Sequence, residues 1–95
     1  MTVEATLQTK IIKYLKAKGA YVIKTGGLGT PDGCPDVIGL FDGGGWVALE
    51  VKASKTAKFQ PLQKATIAKL NQMYYSSVVY PENWDEVKKE LENYL

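Results

Sequence analysis

Histidine is absent from this 95-residue sequence, and cysteine occurs once, at position 34. Without an imidazole base, the chain cannot carry Ser-His-Asp or Cys-His hydrolysis, and most zinc hydrolases are excluded because they bind zinc through histidine. A single thiol forms neither an internal disulfide nor a zinc site, which fits an intracellular, cytoplasmic location. If the protein is an enzyme, carboxylates, lysines and a hard, oxygen-binding metal must do the chemistry.

Long apolar runs are also missing. No stretch approaches the length that spans a bilayer and the N-terminus lacks a signal-peptide pattern, so we expect no membrane partner. With 45% hydrophobic and 23% charged residues, the chain is expected to form one domain, residues 1–95, around a single core. The net charge of +2 permits nucleic-acid binding without indicating it, because basic residues matter through their clustering.

The most informative stretch is 35–52, where two apolar runs flank a Gly-rich break at 42–45. This pattern is typical of a β-hairpin. Asp36 opens the first strand, Glu50 and Lys52 close the second, and the start of one hairpin strand lies beside the end of the other. Glu50 and Lys52 are two residues apart and therefore share a face. We predict that two acids and a lysine meet at the end of the hairpin away from its turn.

The order of elements is predicted to be α-β-β-β-α-β-α, which indicates an α/β fold with a mixed sheet of about four strands flanked by helices. Helices are expected at 3–18, from Pro61 to about 75, and at 84–94. Strands are expected at 20–25, on both sides of the hairpin turn, and at 77–80. The loop at 26–35 contains four glycines, and Gly27 and Gly29 would let backbone amides approach a phosphodiester closely.

The acidic pair suits a hard divalent cation. Asp36 and Glu50 supply the carboxylates through which Mg²⁺ commonly binds, and the carbonyl of Val51 would add a third oxygen. A metal held in this way polarises a phosphodiester and acidifies a bound water. Lys52 would stay charged beside it and could orient the attacking water or neutralise phosphoryl oxygens.

Other residues could complete such a site. Glu4, on the apolar stripe of the first helix, could bind the metal directly or through a water. Alternatively, its only role could be a favourable interaction with the helix dipole. Gln63 could orient a water or a phosphate oxygen. Lys24, Lys55 and Lys58 are candidates for contact with a phosphate backbone, although the segment that holds the last two could equally be a solvated linker.

An acid and a lysine two residues apart on a strand are common and usually inert. Glu50 and Lys52 alone would therefore be a weak signal. The strength lies in their combination with Pro35-Asp36 at the start of the preceding strand, with Glu4, and with the absence of histidine.

In this combination, Pro35-Asp36 followed by Glu50-Val51-Lys52 resembles the PD-(D/E)xK nuclease superfamily. With Glu4, the run 33–37 and Gln63 added, the chain is similar to the VRR-NUC branch of that superfamily from residue 4 to about residue 80.

The resemblance implies a restriction-endonuclease-like fold and Mg²⁺- or Mn²⁺-dependent hydrolysis of DNA. In that scheme Asp36, Glu50 and the Val51 carbonyl bind the metal. The resemblance also implies that Glu4 supports the metal, that Lys52 serves the nucleophile, and that Gln63 lies at the flank of the site.

Free-standing VRR-NUC proteins occur in viruses and bacteria and resemble Holliday-junction resolvases, so the chain could be encoded by a virus or a prophage. The resemblance therefore implies a structure-selective endonuclease that cuts four-way junctions as a homodimer. A flap or nicking nuclease without junction selectivity, and a non-catalytic DNA-binding module of the same fold, are the alternatives. The apolar stripe of the last helix would either form the dimer interface or pack in the core (Trp84, Val87, Leu91, Leu95).

One assignment has two candidates. The chain contains two consecutive Gly-x-Pro-Asp runs, which end at Asp32 and Asp36. Because only the second leads directly into a strand, Asp36 is the expected metal ligand, and Asp32 before Gly33 is more simply a turn residue.

Overall fold

The computed structural model describes residues 2–26 and 29–95. Its elements are helix α1 (Val3–Ala17), strands β1 (Tyr21–Lys24), β2 (Val37–Leu40) and β3 (Trp46–Val51), helix α2 (Gln63–Met73), strand β4 (Ser76–Val79), a 3₁₀ turn (Pro81–Asn83) and helix α3 (Trp84–Glu92). The strands form one sheet in the order β1-β2-β3-β4, antiparallel except for the parallel pair β3 and β4. The predicted α/β fold and its element order are confirmed.

Helix α1 begins and ends with local signals that the sequence carries. Thr2 is the N-cap, and its Oγ1 accepts a hydrogen bond from the N–H of Ala5 at 3.0 Å. Gly19, with φ +93°, turns the chain into β1. The helix buries one stripe of residues spaced four apart, which packs against the sheet (Leu7, Ile11, Leu15).

Helix α3 packs on the same face of the sheet as α1. The rings of Tyr14 and Trp84 meet edge to face with centroids 5.4 Å apart, and the Tyr14 hydroxyl donates to Glu92. Val87 and Leu91 are buried in the main core. The apolar stripe of α3 was expected either to form a dimer interface or to pack in the core, and for these two residues the structure shows core packing.

The hairpin register determines which residues face each other. Gly43 and Gly44 take φ values of +90° and +97° in the turn, a region that favours glycine. Val37 pairs with Leu49, and the same register places Asp36 directly opposite Glu50. The turn chemistry thus brings together the two acids that the sequence keeps 14 residues apart.

Helix α2 begins at Gln63, two residues later than the predicted start at Pro61. Leu62 precedes it in the left-handed conformation with φ +74°, which interrupts helical geometry between Pro61 and Gln63. The turn is closed instead by the Gln63 side chain, whose Oε1 accepts a hydrogen bond from the N–H of Gln60 at 2.7 Å.

Within residues 2–26 and 29–95, no helix has the length and apolar character needed to cross a membrane.

Candidate active site

The two faces of β3 serve different purposes. Val47, Leu49 and Val51 point into the core formed with α1 and α3. Because strand side chains alternate, Glu50 and the following Lys52 point to the opposite face, where α2 lies. Both side chains are nearly enclosed, with 2% of Glu50 and 9% of Lys52 exposed. Charged residues are buried this deeply only when something nearby compensates for the lost water.

Pro35 and Asp36, the two residues before β2, change the normal pattern of hydrogen bonds with β3. Oδ2 of Asp36 accepts a hydrogen bond from the N–H of Val51 at 2.9 Å. The register places Pro35 opposite Val51, and the Pro35 carbonyl is occupied by the Thr25 hydroxyl at 2.6 Å. Since proline has no N–H, it cannot donate to the Val51 carbonyl across the ladder. The carbonyl oxygen of Val51 is therefore left without its usual strand partner beside the Asp36 carboxylate.

Glu50 is the most perturbed acid of the site. Its Oε2 accepts a hydrogen bond from Nε2 of Gln63 at 3.1 Å and lies 3.6 Å from Nζ of Lys52. Its Oε1 is buried and has no hydrogen-bond partner in the described part of the chain. Burial, followed by the nearby Asp36 carboxylate, raises the pKa of Glu50 to about 8, although Lys52 acts in the opposite direction. The ionised site therefore needs more positive charge than Lys52 supplies.

Lys52 and Gln63 form the other half of the cluster. Nζ of Lys52 donates to Oε1 of Gln63 at 2.9 Å, so the amide bridges the lysine and Glu50. The Lys52 ammonium also lies 5.0 Å from the centroid of the Phe59 ring. The structure thus brings Asp36, Glu50, Val51, Lys52 and Gln63 together at one end of the sheet, and the hairpin pattern predicted this for the two acids and the lysine.

Two other candidate acids lie apart from this cluster. Among the described residues, Glu4 forms no side-chain hydrogen bond or ion pair, and no group of three acidic, histidine or cysteine side chains could hold a metal. Glu4 is therefore not brought together with Asp36 and Glu50, and its supporting role stays a prediction. Asp32 is exposed in the turn that precedes Cys34, and Asp36 is the aspartate that faces Glu50.

The candidate DNA-contacting residues surround the site less tightly. Lys24 is exposed at the end of β1, one residue before Thr25, whose N–H donates to the Asp36 carbonyl at 2.9 Å. Lys55 and Lys58 are exposed in the segment after Lys52. Gly29 is exposed with φ +89°, and the prediction for Gly27 lies outside the described residues.

A polar cleft of about 520 Å³ opens onto the cluster. Asp36 and Gln63 lie on its wall, with the turn at 30–34 on one side and the start of α2 on the other. Its walls combine polar and apolar groups, and the polar ones suit a charged, hydrated substrate.

A second groove, of about 570 Å³, lies on the other side of the 31–34 turn and is mainly apolar. Its floor continues the strands that carry the two acids: Ile38 follows Asp36 by two residues, and Ala48 precedes Glu50 by two. Two strand residues span about 7 Å, so the groove begins about 7 Å from the acids, a distance that one nucleotide can span. The side chains that line it are mostly aliphatic or aromatic (Ile38, Leu40, Trp46, Ala48, Leu70, Met73).

Cys34 lies between these two cavities but is poorly suited to nucleophilic attack. Burial, and then the charges of Glu50 and Asp36, raise the pKa of its thiol against the opposing hydrogen bond from Thr25. The reactive form of cysteine is the thiolate, which this environment disfavours.

The donor set fits a hard divalent cation such as Mg²⁺ or Mn²⁺. Asp36 and Glu50 face each other, Glu50 has a buried oxygen without a partner, and the Val51 carbonyl lacks its ladder bond. All three are oxygen ligands, which Mg²⁺ prefers, and a cation would offset the burial and the repulsion by Asp36 that raise the pKa of Glu50. These residues could hold a metal without rearranging the sheet.

Comparisons with known proteins bear on the fold. No protein-family model matches the sequence, and no curated protein matches it. A solved structure described as a VRR_NUC domain is similar over 100% of both chains, with a TM-score of 0.76 and 24% sequence identity. The chain therefore has the fold of a VRR_NUC domain, the restriction-endonuclease-like sheet that the motifs indicated.

Proposed function

We propose that this protein is a metal-dependent endodeoxyribonuclease that hydrolyses DNA phosphodiester bonds. The observation that supports this most strongly is the convergence of Asp36, Glu50 and the Val51 carbonyl, which lacks its ladder bond, beside the buried ammonium of Lys52. Carboxylates that hold Mg²⁺ or Mn²⁺ beside a fixed cation are the parts that phosphodiester hydrolysis needs when no histidine is available.

Each side chain of the cluster has a separate task in this proposal. A metal bound at Asp36, Glu50 and Val51 would polarise the phosphodiester and acidify a water. Lys52 is fixed by Gln63 and Glu50, so its ammonium is preorganised to stabilise negative charge on the phosphoryl oxygens. Gln63 bridges Lys52 and Glu50 and fixes their relative position. The raised pKa of Glu50 makes its ionisation depend on the bound cation.

The surroundings of the site support DNA as the substrate. The polar cleft gives access to Asp36. The exposed Lys24, Lys55 and Lys58 lie within three residues of Thr25, Lys52 and Gln60 in the chain and can neutralise backbone phosphates. Gly29 permits close approach of the backbone on the loop side.

We propose further that the nuclease is selective for branched DNA, with four-way junctions as the substrate. The apolar groove supports this selectivity, because it offers a dry surface for an unstacked base about 7 Å from the acids. An intact duplex keeps its bases stacked, whereas a junction or a flap supplies bases that leave the stack at lower cost.

A four-way junction has two strands to cut, so the proposed enzyme is a homodimer with two-fold symmetry. Since Val87 and Leu91 are buried within one copy, another surface must serve the second copy. The edge strand β1 is the candidate, because Tyr21 is 72% exposed and Ile23 39% exposed. Exposed apolar groups on an unpaired sheet edge favour association.

Cleavage of three end-labelled DNAs tests the proposal: a four-way junction, a flap and a matched linear duplex, each with Mg²⁺ or Mn²⁺. We expect paired, symmetric nicks in the junction and weak cutting of the duplex, with no cutting by Glu50→Ala. Equal cutting of all three would retain the nuclease and remove the selectivity. Binding without cutting in either metal would contradict the nuclease and favour a non-catalytic DNA-binding module.

Light scattering of the purified protein tests the dimer. We expect a mass twice that of one chain, and half that mass for Tyr21→Lys. Val3→Lys is the matched control, because Val3 is an exposed apolar residue on α1, away from β1. A monomeric wild-type protein would contradict the homodimer.

A further inference from the structure

We propose that Phe59 is a positioning residue that holds two lysine ammoniums beside the site, and that the second of them, Lys64, binds a DNA phosphate next to the scissile one. This inference rests on the proposed nuclease function. It assigns roles to two residues that carry no recognisable motif.

The geometry centres on one aromatic ring. Nζ of Lys52 lies 5.0 Å from the centroid of Phe59, and Nζ of Lys64 lies 5.1 Å from it. Both distances fall within the range of about 6 Å in which a ring face attracts a cation. Since both ammoniums lie about 5 Å from the same point, they are at most about 10 Å apart. The same ring therefore attracts both ammoniums and restrains the position of each.

The two lysines differ in exposure, and therefore in what they can do. Lys52 is nearly buried and already contacts Gln63 and Glu50, so its place is inside the site. Lys64 is exposed, and it forms no ion pair in the part of the chain that the structure describes. Its ammonium is therefore available to an anion that reaches the cluster from solvent.

Lys64 is next to a residue of the site in the chain. It directly follows Gln63, whose side chain reaches both Lys52 and Glu50. It also lies in the first turn of α2, where the helix dipole adds positive potential. A phosphate bound by Lys64 would therefore lie beside the reacting one.

A fixed ring matters especially in this protein because all twelve of its basic residues are lysines. Arginine binds phosphate in a bidentate way through its rigid guanidinium, whereas lysine carries a point charge on a flexible side chain. Holding a lysine in one place costs rotamer entropy. The face of Phe59 offsets part of that cost before the substrate arrives, which places the charge where it will be needed.

Substitution of Phe59 separates a role for the ring face from simple packing. Phe59→Leu keeps an apolar side chain and removes the ring, and we expect kcat to fall about 10-fold and KM to rise several-fold. Phe59→Trp and Phe59→Tyr keep a ring face and should retain most of the wild-type rate. Thermal unfolding of each variant confirms that it is folded. If folded Phe59→Leu cleaves like the wild type, or if Phe59→Trp is as impaired as Phe59→Leu, the positioning role is wrong.

The salt dependence of DNA binding tests Lys64 independently of catalysis. In a Glu50→Gln background, we expect Lys64→Gln to lower the slope of log K against log salt concentration by about one, as for the loss of one phosphate contact. Lys89→Gln on α3, across the sheet, should leave the slope unchanged. An unchanged slope for Lys64→Gln would overturn the phosphate contact.

The two proposals fail in distinguishable ways. A wild-type protein that cleaves no DNA contradicts the nuclease, while the salt slopes still report on Lys64. A wild-type protein that cleaves DNA, with Phe59→Leu and Lys64→Gln both indistinguishable from it in rate and slope, contradicts this inference alone.

Discussion

The backbone N–H of Val51 donates to Oδ2 of Asp36 at 2.9 Å, in the place where a strand partner would normally accept. This bond orients the carboxylate toward Glu50. Because Pro35 has no N–H, the carbonyl of the same residue, Val51, is left unbonded by the ladder. Pro35 and Asp36 thus act together: Pro35 cannot donate a ladder hydrogen bond, and the carboxylate of Asp36 accepts the N–H of Val51 in its place.

Pro35→Ala is expected to weaken metal binding while the protein remains folded. The new N–H can donate to the Val51 carbonyl, which competes with the cation. We expect at least a 10-fold loss of Mn²⁺ affinity by calorimetry and a corresponding loss of cleavage rate. Pro31→Ala, in the same loop but not opposite β3, is the control and should bind metal like the wild type. Equal affinities in all three proteins would show that the missing N–H is irrelevant.

The metal-free protein is expected to lose stability as the pH rises. Folding raises the pKa of Glu50 from 4.5 to about 8, so the folded state binds the proton more tightly than the unfolded state. The stabilisation from this proton is complete below about pH 4.5 and is lost as the pH rises to 8. The expected loss is on the order of a few kcal/mol.

Chemical denaturation in a chelator at pH 5, 7 and 9 measures this dependence. Glu50→Gln should flatten the profile and be more stable than the wild type at pH 9, because a neutral amide replaces a buried charge. Glu86→Gln, at an exposed position of α3, should follow the wild type. If Glu50→Gln loses as much stability as the wild type between pH 5 and 9, Glu50 is not the group responsible.

Divalent metal is expected to stabilise the folded protein. A ligand that binds only the folded state at 100 times its dissociation constant adds about 2.7 kcal/mol. We therefore expect Mn²⁺ to raise the melting temperature of the wild type at pH 8 by several degrees, and to have little effect on Asp36→Asn. An equal rise for Asp36→Asn would place the cation elsewhere.

Gly33 is expected to be less replaceable than Gly26 or Gly29, the other glycines of the loop that the structure describes. Its φ is +79°, and a Cβ would lie 2.9 Å from the Leu62 carbonyl oxygen and 2.9 Å from Oγ1 of Thr66. Gly33→Ala should therefore destabilise the protein by about 2–4 kcal/mol, from backbone strain plus steric conflict. Gly29→Ala shares the positive φ without any contact and should cost about 1–2 kcal/mol. Equal unfolding free energies would contradict the close packing of the loop on α2.

The sequence predicted the acidic pair because its geometry is local. A glycine-rich turn sets the hairpin register, and register alone places Asp36 opposite Glu50. Alternation along β3 then gives Lys52 the same face as Glu50. The position of Gln63 followed from the family resemblance, and the structure supplies its partners.

Other parts of the site depend on contacts that no local pattern encodes. Phe59 is one aromatic residue within a polar, basic segment, and its role emerges only when the segment folds back over Lys52. The start of α2 was predicted at Pro61, because proline suits a first helical turn, but the left-handed Leu62 delays the helix to Gln63. Pro35 could have been noticed from the register together with the missing N–H of proline.

Cleavage by Asp36→Asn compared with Asp32→Asn tests the central claim most directly. Both aspartates follow a Gly-x-Pro sequence and they are four residues apart, but only Asp36 faces Glu50 and bonds Val51. With a labelled four-way junction and Mn²⁺, we predict that Asp32→Asn cuts within a few-fold of the wild-type rate, whereas Asp36→Asn loses at least 100-fold. Loss of cutting in Asp32→Asn with full activity in Asp36→Asn would contradict the site described.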